Sequence, residues 1–138
     1  MAYRFEIDPV NKILAVRFEG DITFSSLKRF YYCDARRMFE IHPDLRGSIV
    51  DFTGATALAI TPDDVRELAS SPPVDPDPAR MRVVVAPSSH IFGLCRMFEL
   101  HGEETRPNLH VVASLAQAYV LLGIKNPIFE PVADPPAK

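Results

Sequence analysis

The segment between Met81 and Leu100 constrains the fold more than any other, because a β-branched strand turns there directly into an amphipathic helix. Five apolar residues predict a strand buried on both faces of a parallel sheet: Met81, Val83, Val84, Val85 and Ala86. Pro87 ends this strand, and Ser88 or Ser89 can cap the helix that follows. The helix has an apolar face with the spacing i, i+3, i+4 and i+7: Ile91, Leu94, Cys95 and Phe98.

Two other segments have the same strand-to-helix pattern. Residues 47–52 form a strand, and the next helix begins with Thr61 as its N-cap and Pro62 at its first position. Residues 109–113 form a short strand that precedes a capping box beginning at Ser114. Repeated units of this kind are typical of an α/β sheet.

The N-terminal part of the chain has a different pattern. Apolar and polar residues alternate over residues 3–7 and 13–18, and a turn sequence separates the two runs, which predicts a β-hairpin. Thr23 is placed as the N-cap of a first helix, and Pro43 ends that helix.

The predicted order of elements is therefore β-β-α-β-α-β-α-β-α. We expect an α/β fold with a mixed, mostly parallel sheet, in which the N-terminal hairpin is the antiparallel pair and helical crossovers join the other strands. Residues 1–123 form a single domain in this interpretation. Residues 70–80 form an extended proline-rich loop, and residues 124–138 form a proline-rich tail that is expected to be flexible.

Composition restricts the possible functions. A net charge of −3 gives no electrostatic reason to expect a nucleic-acid partner, and no apolar run reaches the roughly 20 residues that span a bilayer. The two cysteines, Cys33 and Cys95, fall in predicted helices and are expected to be small core residues rather than reactive thiols. The four histidines lack metal-ligand spacing. We expect a reduced, cytoplasmic protein without metal or cofactor.

The order of elements, together with residues 48–56 (Ser-Ile-Val-Asp-Phe-Thr-Gly-Ala-Thr), resembles the STAS domain of anti-sigma-factor antagonists. Residues 82–99, with the run Phe-Gly-Leu-Cys-Arg-Met-Phe-Glu, are similar to the SpoIIAA-like bacterial branch of that family. The resemblance implies a STAS-like fold and a non-catalytic regulatory domain that binds other proteins.

One feature of the classical antagonists is not found in this chain. They carry an Asp-Ser-Ser-Gly sequence at the start of the next helix, where a serine is phosphorylated, whereas this chain has Ala-Ile-Thr-Pro at residues 59–62. Thr61 has a hydroxyl group, but its N-cap position accounts for it. We therefore expect no phosphoserine switch of the usual type.

Polar residues follow the predicted strands at the edge where ligands gather in open α/β sheets. They define a candidate ligand cleft: Asp51, Thr53, Thr56, Ser88, Ser89, His90 and Ser114. A Ser/His/Asp hydrolase built from this set would lack the nucleophile-elbow motif, so no catalytic residue is predicted. Asp51 is expected to accept hydrogen bonds from the amides that follow it, and the helix starts at Ser88 and Ser114 favour an anionic group.

The helix after Pro87 is apolar on more than one side. Outside its inner face it carries four residues that define a candidate interface: Phe92, Gly93, Met97 and Leu100. The chain itself could cover this surface, through the loop from Ser70 or the tail with Ile128 and Phe129. A second copy of the chain, or a regulatory protein, could cover it equally well.

Two functions are compatible with these observations. The favoured hypothesis is a non-catalytic regulatory or protein-interaction domain, for which the candidate interface would be the docking surface of a homodimer or of a regulatory protein partner. The alternative is a module that binds a small apolar or anionic molecule in the cleft at the carboxyl ends of the strands.

Overall fold

A six-stranded sheet organises the protein, which is described by a computed structural model over residues 2–75 and 77–133. The spatial order of its strands is β5-β4-β3-β2-β1-β6. The strands are β1 (Tyr3–Asp8), β2 (Ile13–Thr23), β3 (Gly47–Ala59), β4 (Met81–Val85), β5 (Leu109–Val112) and β6 (Glu130–Val132). The helices are α1 (Phe24–Arg29), α2 (Ala35–Ile41), α3 (Pro62–Ala69), α4 (Ser89–His101) and α5 (Leu115–Leu122), and a π-helical segment (Phe30–Asp34) joins α1 to α2.

The sheet is mixed, so the prediction of a mostly parallel sheet is wrong, although the α/β class and the N-terminal hairpin are confirmed. The chain beyond residue 124 causes the difference, because β6 pairs antiparallel with β1 and adds a second antiparallel pairing to that of β1 with β2. Ile124 is buried, and the Ile128 N–H donates to Asp8 Oδ2 at 3.2 Å. The segment that we expected to be a flexible tail therefore contributes a strand; residues 134–138 of it lie outside the described residues.

Strands β2 and β3 are longer than their sequence patterns indicate. They pair in parallel from Ile13 and Gly47 to Thr23 and Ala59, with register shifts near Arg17 and Gly20 that interrupt the alternation of apolar residues. Because β3 continues to Ala59, the residues that we expected just beyond its end, such as Thr53, lie within the strand.

Each face of the sheet has its own apolar core. Val83 and Val85 of β4 face the smaller core, which α5 covers through Ala118 and Leu122. Val84 faces the larger core, which is covered by α1, the π-helical segment, α2, α3 and α4. The prediction that β4 is buried on both faces is confirmed.

The predicted caps set the helix boundaries. Thr61 forms a capping box with Asp64 at the start of α3, and Ser88 Oγ accepts the Ile91 N–H at 3.2 Å at the start of α4. Ser114 forms a second capping box at the start of α5. Gly123, at φ 67°, takes the left-handed conformation that ends α5.

Candidate functional site

A cavity lies between the larger face of the sheet and the helices that cover it. Its volume is about 120 Å³. Apolar side chains of β2, β3 and β4 form its floor, including Val16, Phe52 and Val84, whose alternate positions along the strands direct them to this face. Empty apolar cavities of roughly 150 Å³ in proteins bind benzene, so this one is of a size to hold a small ligand.

The roof of the cavity depends on the π-helical segment. Phe30 and Tyr31 belong to that segment and line the cavity, together with Ala35 of α2 and Phe98 of α4. The Tyr31 and Phe98 rings meet edge to face, with their centroids 6.0 Å apart. A π-helical turn widens a helix locally and often occurs at a functional site.

Arg106 lines the cavity and joins the elements that form its walls. Its guanidinium donates to the carbonyl oxygens of Leu68 at 3.3 Å, Ala69 at 3.1 Å and Ser71 at 2.7 Å, which belong to the end of α3 and the residues after it. It also donates to the Tyr31 hydroxyl and lies over the Phe98 ring at 4.8 Å. These contacts explain why an arginine can be buried with only 2% exposure.

Arg82 of β4 also lines the cavity, but it is not partnered in this way. Its side chain is on the same sheet face as Val84 and is 5% exposed. Within the described part of the chain it forms no ion pair, and its Nε and Nη2 atoms have no hydrogen-bond partner. Burial lowers its pKa, which the nearby Asp75 carboxylate opposes.

Ser48 lies beside Arg82, since the two residues are register partners on β3 and β4. Ser48 is 5% exposed and also lines the cavity. The two neighbouring strands thus bring a hydroxyl and a guanidinium next to each other beneath the cavity floor, whose exposed surface is almost wholly apolar. Both groups donate hydrogen bonds, and a guanidinium is well suited to a carboxylate.

One buried carboxylate is close to these arginines. Asp75 Oδ1 binds Arg80 at 3.0 Å, and Asp75 Oδ2 has no hydrogen-bond partner among the described residues. Burial raises the pKa of Asp75, opposed by its hydrogen bond from Asp77 and by the charges of Arg80 and Arg82. Positive charge is in excess around Arg82, because two other cations, Arg80 and Arg106, and one buried carboxylate, Asp75, act on it.

Sequence reasoning did not identify this cavity. Arg82 interrupts the apolar run from Met81 to Ala86, and a charged residue inside a strand buried on both faces was the available signal. Arg106 lies in a polar stretch after α4, where nothing in the sequence distinguishes it from an exposed arginine.

The residues of the candidate ligand cleft lie elsewhere, and none of them lines the cavity. Asp51 points to the opposite face of the sheet, where Oδ2 pairs with Arg17 Nη1 at 2.8 Å. Its Oδ1 accepts the Thr53 N–H at 2.8 Å, which confirms the predicted hydrogen bond from a following amide. Ser88 and Ser114 serve as helix caps.

The other members of that cleft are at the surface. Thr53, Thr56, Ser89 and His90 are exposed, and Thr56 donates from its hydroxyl to Asp21 at 2.8 Å. Within the described chain, no group of three or more His, Cys, Asp or Glu residues could hold a metal ion.

The candidate interface on α4 is partly covered within the chain. Phe92 and Met97 pack against the larger core, and α3 lies against α4. Leu100 remains 52% exposed, and Gly93 is exposed with open space where a side chain would be. Of the four residues of the candidate interface, Leu100 and Gly93 are therefore the two that stay uncovered.

The two cysteines differ from each other. Cys33 is exposed, so its predicted core position is wrong, because it falls on the outer side of the π-helical segment. Cys95 lines the cavity, and burial raises the pKa of its thiol to about 12.

No helix in the described residues is long and apolar enough to cross a membrane. No family model matches the chain, and no curated protein matches it in sequence, so the resemblance to the STAS family stays a prediction.

Proposed function

We propose that this protein is a binding module for a small, largely apolar molecule, which it holds between the sheet and the helices on its larger face. The observation that carries the proposal is the cavity of about 120 Å³ in what would otherwise be a packed core. Protein interiors are ordinarily packed with few voids larger than a water molecule. An unfilled cavity of this size lowers stability, so a ligand that fills it recovers contacts that the apo protein lacks.

This site and the cleft predicted from the sequence are both sites for a small molecule, but they lie in different parts of the fold. That cleft was expected at the carboxyl ends of the strands, whereas the cavity lies under the helices and includes Arg82, the second residue of β4, and Leu109, the first residue of β5. Its wall is built mainly from apolar side chains, as is usual for small-molecule sites.

Benzene is a suitable probe for this proposal. We expect it to bind to the wild-type protein and to raise the temperature of unfolding as its concentration rises. Ala35→Leu should abolish that effect, because Ala35 lines the cavity and the larger side chain would occupy it. Failure of the wild-type protein to bind benzene in saturated aqueous solution would overturn the proposal.

A second candidate function is a regulatory domain that binds a protein partner, or a second copy of the chain, through the outer side of α4. The observation that favours it is the exposure of Leu100 beside Gly93, which together leave a small apolar surface uncovered. The test is whether Leu100→Glu changes the association state of the protein.

A further inference from the structure

The cavity contains a feature that a purely apolar ligand would not use. Arg82 lines the cavity and is only 5% exposed. Within the described residues, its Nε and Nη2 atoms have no hydrogen-bond partner. Leaving a buried charged group unpaired is expensive, and proteins normally pair such groups. Arg106 is different, since carbonyl oxygens and the Tyr31 hydroxyl accept from its Nη1 and Nη2, and only its Nε has no partner among the described residues.

The surrounding charges do not complete the pairing of Arg82. Asp75 is the nearby carboxylate, but it lies beyond ion-pair distance of Arg82 and binds Arg80 at 3.0 Å. The positive charges of Arg106 and Arg80 also act on Arg82. Two other cations and one carboxylate thus act on Arg82 beside a low-dielectric apolar wall, which strengthens its attraction for an anion.

We infer that the ligand is an amphipathic monocarboxylate, whose carboxylate binds Arg82 and Ser48 and whose apolar body fills the cavity. This inference rests on the proposed function and specifies its ligand class. Ser48 and Arg82 are adjacent across β3 and β4, so one carboxylate that reaches beneath the apolar floor can accept from the hydroxyl and the guanidinium together. The volume of about 120 Å³ limits the enclosed apolar body to roughly the size of a benzene ring.

Benzoate and benzyl alcohol form a matched pair of probes, because they share the ring and differ in the charged group. Isothermal titration calorimetry at neutral pH should show that the wild-type protein binds benzoate at least about tenfold more tightly than benzyl alcohol. Arg82→Met keeps most of the aliphatic stem and removes the charge. It should abolish the preference for benzoate while leaving benzyl alcohol binding nearly unchanged.

Two further variants sharpen the test. Ser48→Ala should weaken benzoate binding by a smaller factor, because it removes one donor and no charge. Arg96→Met makes the same change of net charge at an exposed position paired with Glu99, and it should alter benzoate affinity by less than about twofold. A loss of affinity in Arg96→Met equal to that in Arg82→Met would overturn the inference.

The wild-type comparison does not depend on whether Arg82→Met folds. Equal affinities for benzoate and benzyl alcohol would overturn the inference and leave the proposed function standing. If the wild-type protein bound none of benzoate, benzyl alcohol and benzene, both the inference and the proposed function would be overturned. Preference for benzoate in the wild-type protein, lost in Arg82→Met, is the result that supports a carboxylate ligand.

Discussion

Ser48 and Arg82 are register partners on the parallel strands β3 and β4, and both side chains are buried on the face of the sheet that carries the cavity. Their neighbours along the strands, Val50 and Val84, line the same cavity with apolar surface. A hydroxyl and a guanidinium are thus enclosed by hydrocarbon at one end of a space that extends beneath the helices. Water or a ligand is expected to interact most strongly with the protein at this point.

The cavity predicts different responses to the same substitution at two buried helical alanines. Ala35→Leu should change the free energy of unfolding little or raise it, because the added isopropyl group enters the cavity. Ala118→Leu should lower it by about 1–3 kcal/mol, because Ala118 is 0% exposed and packs in the smaller core away from the cavity. Urea unfolding of both variants measures the difference. Equal losses of unfolding free energy would show that the cavity cannot accept the added side chain.

The two cysteines should react at very different rates. With a pKa of about 12, roughly one in ten thousand Cys95 thiols is ionised at pH 8, whereas Cys33 is exposed. Mass spectrometry during labelling with iodoacetamide should show fast modification at one site only, and Cys33→Ser should remove it. Rapid labelling of Cys95 in that variant would contradict the raised pKa of its thiol.

Arg106 is expected to be a structural residue of the cavity wall. Arg106→Met should lower the free energy of unfolding by more than about 2 kcal/mol, because it leaves the carbonyl oxygens of Ala69 and Ser71 without this donor. Arg96→Met is the control, since its exposed ion pair with Glu99 should contribute less than about 1 kcal/mol. If chemical denaturation showed similar losses of unfolding free energy in Arg106→Met and Arg96→Met, Arg106 would not stabilise the fold as described.

Thr61 is expected to act as a helix cap rather than a phosphorylation switch. Its hydroxyl accepts the Asp64 N–H at 3.1 Å, and Asp64 Oδ2 accepts the Thr61 N–H at 2.9 Å. Thr61→Ala should cost on the order of 1 kcal/mol of unfolding free energy, while Thr61→Ser should cost much less. Stoichiometric phosphorylation of Thr61 in protein from its natural host would contradict this interpretation.

Leu100 should control association if the outer side of α4 is an interface. We expect Leu100→Glu to dissociate a wild-type dimer or complex and to change the unfolding free energy by less than about 0.5 kcal/mol, since the side chain is 52% exposed. Val120→Glu is the matched control on α5, which covers the opposite face of the sheet, and Val120 is 80% exposed. Light scattering and thermal unfolding measure both effects. A monomeric wild-type protein without a partner would exclude the interface.

The sequence predicted local structure best where one short pattern determines it. The caps at Thr61, Ser88 and Ser114 were predicted correctly. In each, the side-chain hydroxyl accepts a hydrogen bond from the backbone N–H three residues later, so the signal is contained in four consecutive residues. Strand β3 was predicted too short, because its later residues pair with β2 through irregular register rather than through an apolar pattern. Strand β6 contains only three residues and depends on β1 for its pairing.

The cavity could not be predicted in the same way. Its walls are apolar residues at ordinary core positions, such as Val84 and Phe98, and the space between them depends on how far apart the helices and the sheet are held. That separation depends on long-range contacts, including those of Arg106 with the end of α3. Arg82 is the one residue of the site that the sequence could have indicated, because it is a charged residue within an apolar strand.

The short strand β6 covers the β1 edge of the sheet, and we expect this to limit association between molecules at high concentration. It pairs with Phe5, Glu6 and Ile7 along the edge of β1, which would otherwise offer a row of free backbone groups to another molecule. At its middle position is Pro131, which has no N–H to donate. A chain that ended at Gly123 would lose Ile124 from the smaller core and would also expose β1 to edge-to-edge pairing, so we expect it to be less stable and to aggregate.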